Sequence, residues 1–167
     1  MSRPNQIFND YNLISEILKI LKDKNKRIVF TNGCFDIIHR GHIEYLEKAK
    51  SYGDILVVGI NSDESVKKIK GRERPINRDI DRAYVVLNLK PVDFVCIFSE
   101  ETPYELIKKI QPDILVKGGD YSVDNVVGRD VVEKNGGKVV IVDYLKNYST
   151  TEIIRKCRAV NEKNEKR

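Results

Sequence analysis

A doubly wound α/β domain, built on a parallel sheet of about five strands, is the fold class this sequence predicts. Three observations predict it. Five short apolar runs recur along the 167 residues, continuous rather than alternating, as strands covered on both faces are. Between them lie segments with helical spacing or helix-capping signals. Strand and helix therefore alternate at lengths that suit right-handed crossovers.

The elements follow in order. Leu13, Ile14, Ile17, Leu18 and Leu21 share one helical face. Residues 27–30 form the first strand, and the polar turn after them leads into a helix ending near Tyr52-Gly53. Residues 54–60 form a second buried strand, and Asn61-Ser62-Asp63-Glu64-Ser65 opens a short helix. The stretch 67–82 is dense in charge and holds Gly71 and Pro75, so it is expected to be a loop passing into a helix near Asp79. A third strand covers 93–98, and Pro103 sits just inside the start of a helix that runs to Ile110. A fourth strand, 113–117, ends in Gly118-Gly119-Asp120-Tyr121. A helix at 129–135 stops at Gly136-Gly137, and 138–143 is the fifth strand. Ser149-Thr150-Thr151-Glu152 has the pattern of a capping box and starts the last helix, expected to end near Val160. The expected organisation is one domain, 1–160, with a disordered tail, 161–167.

Composition excludes several classes. With 41% hydrophobic and 33% charged residues, the balance is that of a folded domain rather than a disordered chain. No apolar run approaches the length of a bilayer span, and residues 1–5 lack a signal-peptide core. A cytoplasmic protein without a membrane partner is expected. Cys34, Cys96 and Cys157 are widely spaced, with no Cys-x-x-Cys pair, so neither a zinc site nor a disulfide framework is predicted. Cys34 falls in the polar turn, where a small residue beside a ligand is favoured over a nucleophile. The net charge of +5 raises the question of nucleic acid. Part of the excess lies in 22–27 and 163–167, where no aromatics interleave, so a solvated surface and small anionic substrates are expected instead.

Function concentrates in Thr31-Asn32-Gly33-Cys34-Phe35-Asp36-Ile37-Ile38-His39-Arg40-Gly41-His42. Both histidines of the chain lie here, at a strand-to-helix switch, where free backbone N–H groups and the helix dipole favour an anion. In an open α/β sheet, ligands bind beyond the carboxyl ends of the strands at the switch point. Residues 31–42, 117–121 and 148–152 each follow a strand closely, so the topology brings them to one edge. Gly33 and Gly41 permit close backbone approach, and Gly118-Gly119 can open an anion nest. Lys117 is a point charge at a strand end. Ser149, Thr150 and Thr151 add hydroxyls at a helix start. Lys70, Arg72 and Arg74 lie in the charged loop.

These segments, in this order, resemble the cytidylyltransferase-like nucleotidylyltransferases. The matching motifs are Gly33-Cys34-Phe35-Asp36, His39-Arg40-Gly41-His42 and Tyr148-Ser149-Thr150-Thr151-Glu152-Ile153-Ile154. Within that Rossmann-like family the sequence is most similar to the adenylyltransferase branch of ADP-heptose synthesis. That narrower resemblance rests on Thr31 to Asp36, Asn61-Ser62-Asp63, Lys70-Gly71, Arg74-Pro75-Ile76-Asn77, Asp81-Arg82-Ala83, Thr102-Pro103 and, above all, the run from Pro112 to Tyr121. It covers residues from about 11 to 157. Arg129 departs from the pattern, where a smaller residue is expected. No kinase-like half is present, which implies the stand-alone form.

The resemblance implies a reaction of ATP with a sugar 1-phosphate, D-glycero-β-D-manno-heptose 1-phosphate, giving ADP-heptose and pyrophosphate for lipopolysaccharide core synthesis. It implies catalytic roles for His39, His42 and Lys70. It implies nucleotide contacts from Thr31, Asn32, Gly33, Cys34, Phe35, Asp36, His42, Lys117, Gly118, Gly119, Asp120, Ser149, Thr150 and Thr151. It implies substrate contacts from Asp36, Lys70, Arg74 and Arg82, with Asp36 orienting a histidine or a ligand group. Mg²⁺ is expected to travel with ATP rather than sit in a protein-only cage. A homodimer is expected from an apolar helix face. The alternatives are a CTP-dependent transferase acting on glycerol 3-phosphate or a phospho-amino-alcohol, and a binding module without catalysis.

Overall fold

The computed structural model describes residues 6–119, 122–143, 145 and 148–164, the last four of these by backbone alone. In chain order the elements are β1 (Ile7–Phe8), α1 (Tyr11–Asp23), β2 (Ile28–Gly33), α2 (Arg40–Lys50), β3 (Ile55–Asn61), α3 (Asp63–Lys70) and α4 (Asp79–Leu87). Then come β4 (Phe94–Phe98), α5 (Tyr104–Ile110), β5 (Ile114–Gly118), α6 (Arg129–Lys134), β6 (Lys138–Val142) and α7 (Thr150–Asn164). The six strands form one sheet in the order β1-β4-β3-β2-β5-β6, every pairing parallel. The chain winds outward from β2 through β3 to β4, then returns to place β5 and β6 on the other side of β2. The switch point therefore falls between β2 and β5, where a crevice opens beyond the strand ends.

Both faces of the sheet are covered, which is why its strands are continuously apolar. Val29, Val58 and Val116 pack on one face with Tyr45, Leu46 and Ala49 of α2 and Ala83 and Val86 of α4. Phe30, Val57 and Leu115 pack on the other with Ile14 and Leu18 of α1, Leu106 and Ile107 of α5, and Val132 of α6. Neighbouring residues on a strand thus feed opposite cores, as the pleat requires.

The structure departs from the sequence expectations at several elements. The two-residue β1 was not predicted; it is too short for a periodic signal and is held at the edge by parallel pairing with β4. The charged stretch after Asp63 is helical as far as Lys70, because Ser62 caps α3 by accepting from the Ser65 N–H at 3.3 Å. Leu13, expected on the buried face of α1, is exposed, while Ile14 and Leu18 are fully buried. Helix α7 continues to Asn164, past the expected end at Val160. Arg129 opens α6 and pairs with Glu133 at 2.8 Å and with Asp124. Among the described residues, no helix is long and apolar enough to cross a membrane.

Candidate functional site

At the end of β2 the chain turns through residues 34–38 and enters α2 with His39 as its N-cap residue, in extended conformation (φ −142°, ψ 170°). His42 lies one turn on, and its N–H donates to the His39 carbonyl at 2.9 Å. The two imidazoles stack, with ring centroids 3.8 Å apart and planes 18° from parallel. Phe35, itself at φ 47°, leans on His42 with its ring centroid 5.2 Å away. Gly41 is required by close approach. A Cβ there would stand 3.1 Å from Tyr148 Cβ and 3.2 Å from the His39 ring. A side chain at 41 would push α2 away from the segment that opens α7.

Burial disfavours the charged form of both imidazoles. Burial lowers the pKa of His39, and burial followed by the proximity of His39 takes His42 down to about 4. Both Nδ1 atoms are buried, and among the described residues neither has a hydrogen-bond partner. A bare acceptor nitrogen is tolerated there more easily than a bare donor. We therefore assign the proton to Nε2 in each ring, leaving it free to donate.

A cavity of about 480 Å³ spans the switch point. Its walls include Asn32, Gly33, Cys34, Phe35, Asp36, His39, His42, Lys70, Arg74, Lys117, Gly118, Ser149, Thr150 and Thr151. Segments far apart in sequence meet there, as the topology predicted. Lys117, at the end of β5, bonds to Asn32 Oδ1 at the end of the adjacent β2. Burial pushes its ammonium down to about 8. Thr150 donates from Oγ1 to the Ile37 carbonyl at 3.2 Å, tying the start of α7 to the motif turn. Ser149 Oγ accepts from the Glu152 N–H at 3.1 Å. Only half of the expected capping box forms, because the Glu152 carboxylate turns to Arg155 instead.

Four of the expected site residues have other positions or partners. Arg82, predicted to hold substrate phosphate, does not reach the cavity. Its side chain is fully buried and bonds to the carbonyls of Asn77, Cys34 and Asn61 and to Asp63, at 2.6–2.9 Å. Thr31, predicted to touch nucleotide, is also fully buried; its hydroxyl pairs with the Tyr45 hydroxyl at 2.6 Å. Asp36 lies on the wall but orients neither histidine. It accepts from the N–H groups of Ile76 and Asn77 and from Arg74 Nε, at 2.7–2.9 Å. Burial alone would raise its pKa; these three donors outweigh burial and hold it below the usual carboxylate range. Gly119, at φ 87°, donates its N–H to the Val142 carbonyl and is not on the wall. Asp120 and Tyr121 lie outside the described residues.

Asn61, Tyr45, Ile69, Leu145 and Tyr148 line the cavity without having been singled out as site residues. Asn61 had a signal, as a polar residue ending an apolar strand. Tyr45 had none, since its spacing is that of a core helix position. Burial raises the pKa of the Cys34 thiol, and a protonated thiol is a poor nucleophile. Among the described residues, no group of three or more His, Cys, Asp or Glu gathers to hold a metal. The cavity walls instead carry cations and neutral donors, and their carboxylate, Asp36, is committed to residues 74–77.

Paired imidazoles at a helix start, facing a cation-lined crevice at the switch point of a parallel sheet, define a Rossmann-like domain of nucleotide-binding type. The cytidylyltransferase-like family model matches residues 30–156, and the chain belongs to that family. It is 53% identical to the bifunctional protein HldE of a Nitratiruptor species, a match covering 92% of this chain and 32% of that one. It is 49% identical to the protein of the same name from Aliarcobacter butzleri, covering 97% and 33%. The chain thus spans about a third of the length of these curated relatives. Among solved structures, it resembles the lipopolysaccharide core biosynthesis protein from Thermoplasma volcanium, with 33% identity and a TM-score of 0.60, covering 74% of this chain and 99% of that one. A pantoate-beta-alanine ligase from Francisella tularensis shares the fold at 18% identity and a TM-score of 0.61, covering 88% and 74%.

Proposed function

We propose that this chain is a nucleotidyltransferase that joins the AMP part of ATP to a sugar 1-phosphate, D-glycero-β-D-manno-heptose 1-phosphate. The products are ADP-heptose, for lipopolysaccharide core synthesis, and pyrophosphate. The observation that carries the proposal is the stacked His39–His42 pair, facing Lys70, Arg74 and the hydroxyls that open α7 across one cavity. The relatives support the choice of substrate, since one set is named HldE and another relative is a lipopolysaccharide core biosynthesis protein.

The chemistry asks little of the protein. The sugar phosphate is already an anion near neutral pH, so no general base is needed. Its oxygen attacks the α-phosphorus in line, and the bond to pyrophosphate breaks. Catalysis is positioning plus stabilisation of charge on the transferring group. His39 and His42 donate to phosphate oxygens. Lys70 and Arg74 offset charge, and Asp36 acts by fixing Arg74 and residues 74–77. Lys117 and Gly118 border the nucleotide, and Ser149, Thr150 and Thr151 receive the β and γ phosphates at the start of α7. Mg²⁺ would suit a site of this kind as a companion of the triphosphate, since among the described residues the walls offer donors rather than free carboxylates. We place the reaction in the cytoplasm and the protein in a homodimer, for which exposed Ile80 and Tyr84, one turn apart on α4, supply an apolar face.

The test is pyrophosphate release from ATP, CTP, GTP and UTP with heptose 1-phosphate and with glycerol 3-phosphate, at equal Mg²⁺. ATP with heptose 1-phosphate is expected to lead, by at least about a hundredfold in kcat/KM over CTP, or roughly 3 kcal/mol. A preference for CTP with glycerol 3-phosphate would overturn the substrate assignment and leave the family.

A further inference from the structure

A second cavity, of about 620 Å³, opens between residues 70–74 and α7. It shares Lys70, Arg74 and Thr151 with the first cavity, then runs down α7 past Arg155 to Arg158. Lys70, Arg72 and Arg74 stand on one wall and Arg155 and Arg158 on the other, against one carboxylate among the described residues, Glu73. Arg74 is engaged by Asp36, Arg155 by Glu152, and Arg158 by Glu73. Among the described residues, Lys70 and Arg72 have no ion-pair partner.

Cations facing one another across a gap repel. The one pair that bridges this gap, Glu73–Arg158, is exposed on both sides and contributes little. An anion between the walls would offset the repulsion, and guanidinium groups on opposing walls suit a ligand with several phosphate oxygens.

We infer that this groove is a binding site for inorganic pyrophosphate, the leaving group on its way out. The identity of the anion rests on the transfer reaction proposed above. In-line displacement puts nucleophile and leaving group on opposite sides of the α-phosphorus. The hydroxyls that open α7 are assigned to the β and γ phosphates. The groove meets that side at Thr151 and leads away from it, so its occupant is the group that departs rather than the sugar phosphate that arrives. Arg72, Arg155 and Arg158 lie outside the first cavity, and a weak second station there would lower the barrier to product release.

The experiment titrates inorganic pyrophosphate into the full chain by calorimetry, for wild type, Arg155→Gln/Arg158→Gln and Arg72→Gln. The KM for pyrophosphate in the reverse reaction is measured alongside. All three positions are exposed, and melting temperature confirms that the variants fold. Wild type is expected to show two binding events, a tighter one at the hydroxyls that open α7 and a weaker one in the groove, and the double variant to weaken the second by at least about tenfold, the loss of charge-assisted hydrogen bonds. Arg72→Gln, on the opposite wall, should act in the same direction. The KM values for ATP and for heptose 1-phosphate should stay within about twofold, as for exposed charges remote from the reacting atoms. Unchanged pyrophosphate affinity would overturn the inference. So would a loss confined to heptose 1-phosphate, which would make the groove the acceptor's. Arginine-dependent pyrophosphate binding in a wild-type chain that releases none from any nucleotide would support the groove and overturn the transfer reaction.

Discussion

Arg82 and Lys117 are both cations withdrawn from water near the switch point, yet they behave as opposites. Arg82 bonds to three backbone carbonyls and one carboxylate, drawn from the motif turn, the end of β3, the start of α3 and the 74–77 segment. Lys117 holds one neutral acceptor, Asn32 Oδ1, and faces the cavity. Burial displaces its pKa downward, and among the described residues nothing of opposite charge offsets desolvation. The difference teaches which buried charges belong to a scaffold and which await a ligand. A charge with its donors filled locks segments together; a charge left short of partners is a standing cost that an anion can relieve.

The largest expected effect breaks the scaffold side. Arg82→Met should cost about 3 kcal/mol or more, read from urea unfolding, because it strips three carbonyls and Asp63 of their donor. Stability close to wild type would erase the distinction. Next, on the ligand side, His42→Ala should lower kcat by at least about a hundredfold, roughly 2.7 kcal/mol, with the fold intact. Wild-type turnover would remove the imidazole from the mechanism.

Lys117→Met sharpens the contrast further, since its two effects should have opposite signs. Binding of ATP should weaken by about tenfold or more, the loss of a charge-assisted contact to phosphate. Stability near neutral pH should hold or rise. The pH dependence follows from linkage. The folded-state pKa of about 8 lies below the ordinary lysine value of 10.5, so between those values the unfolded chain binds more protons. Wild-type stability should gain a rising contribution from pH 8 to 10.5 that the variant lacks. His42 follows the same sign at lower pH. Its folded pKa of about 4 against 6.5 means that acidification through that window destabilises the fold, and His42→Gln should flatten the loss. The smallest effect is at the cap: Ser149→Ala should cost about 1 kcal/mol of stability.

Much of this was legible in the sequence, and the gaps have physical reasons. The five main strands announced themselves because burial on both faces makes them continuously apolar. The histidine turn was legible because motif and context coincided, a strand end before it and a helix after. Arg82 was misplaced because an arginine just beyond a charged loop looks alike as a phosphate ligand and as a scaffold cation. What separates them is the carbonyl of Cys34, 48 residues away. Asp36 shows the same limit: the motif marks it, but only the folded chain shows that residues 74–77 take its lone pairs. Tyr45 was invisible as a cavity residue because a helix position that packs against β5 and one that reaches the crevice share the same spacing.

The bond from Thr150 to the Ile37 carbonyl, with Tyr148 lying against Gly41, has a consequence for how the protein matures. The crevice is closed by two pieces of chain 113 residues apart. A ribosome-bound nascent chain can therefore complete β2, β3, β4 and β5 while its crevice still lacks a wall. Competence to hold a triphosphate should appear abruptly, when α7 emerges and docks, rather than growing with chain length. A truncation just before residue 148 should leave most of the hydrophobic interior in place and abolish nucleotide binding.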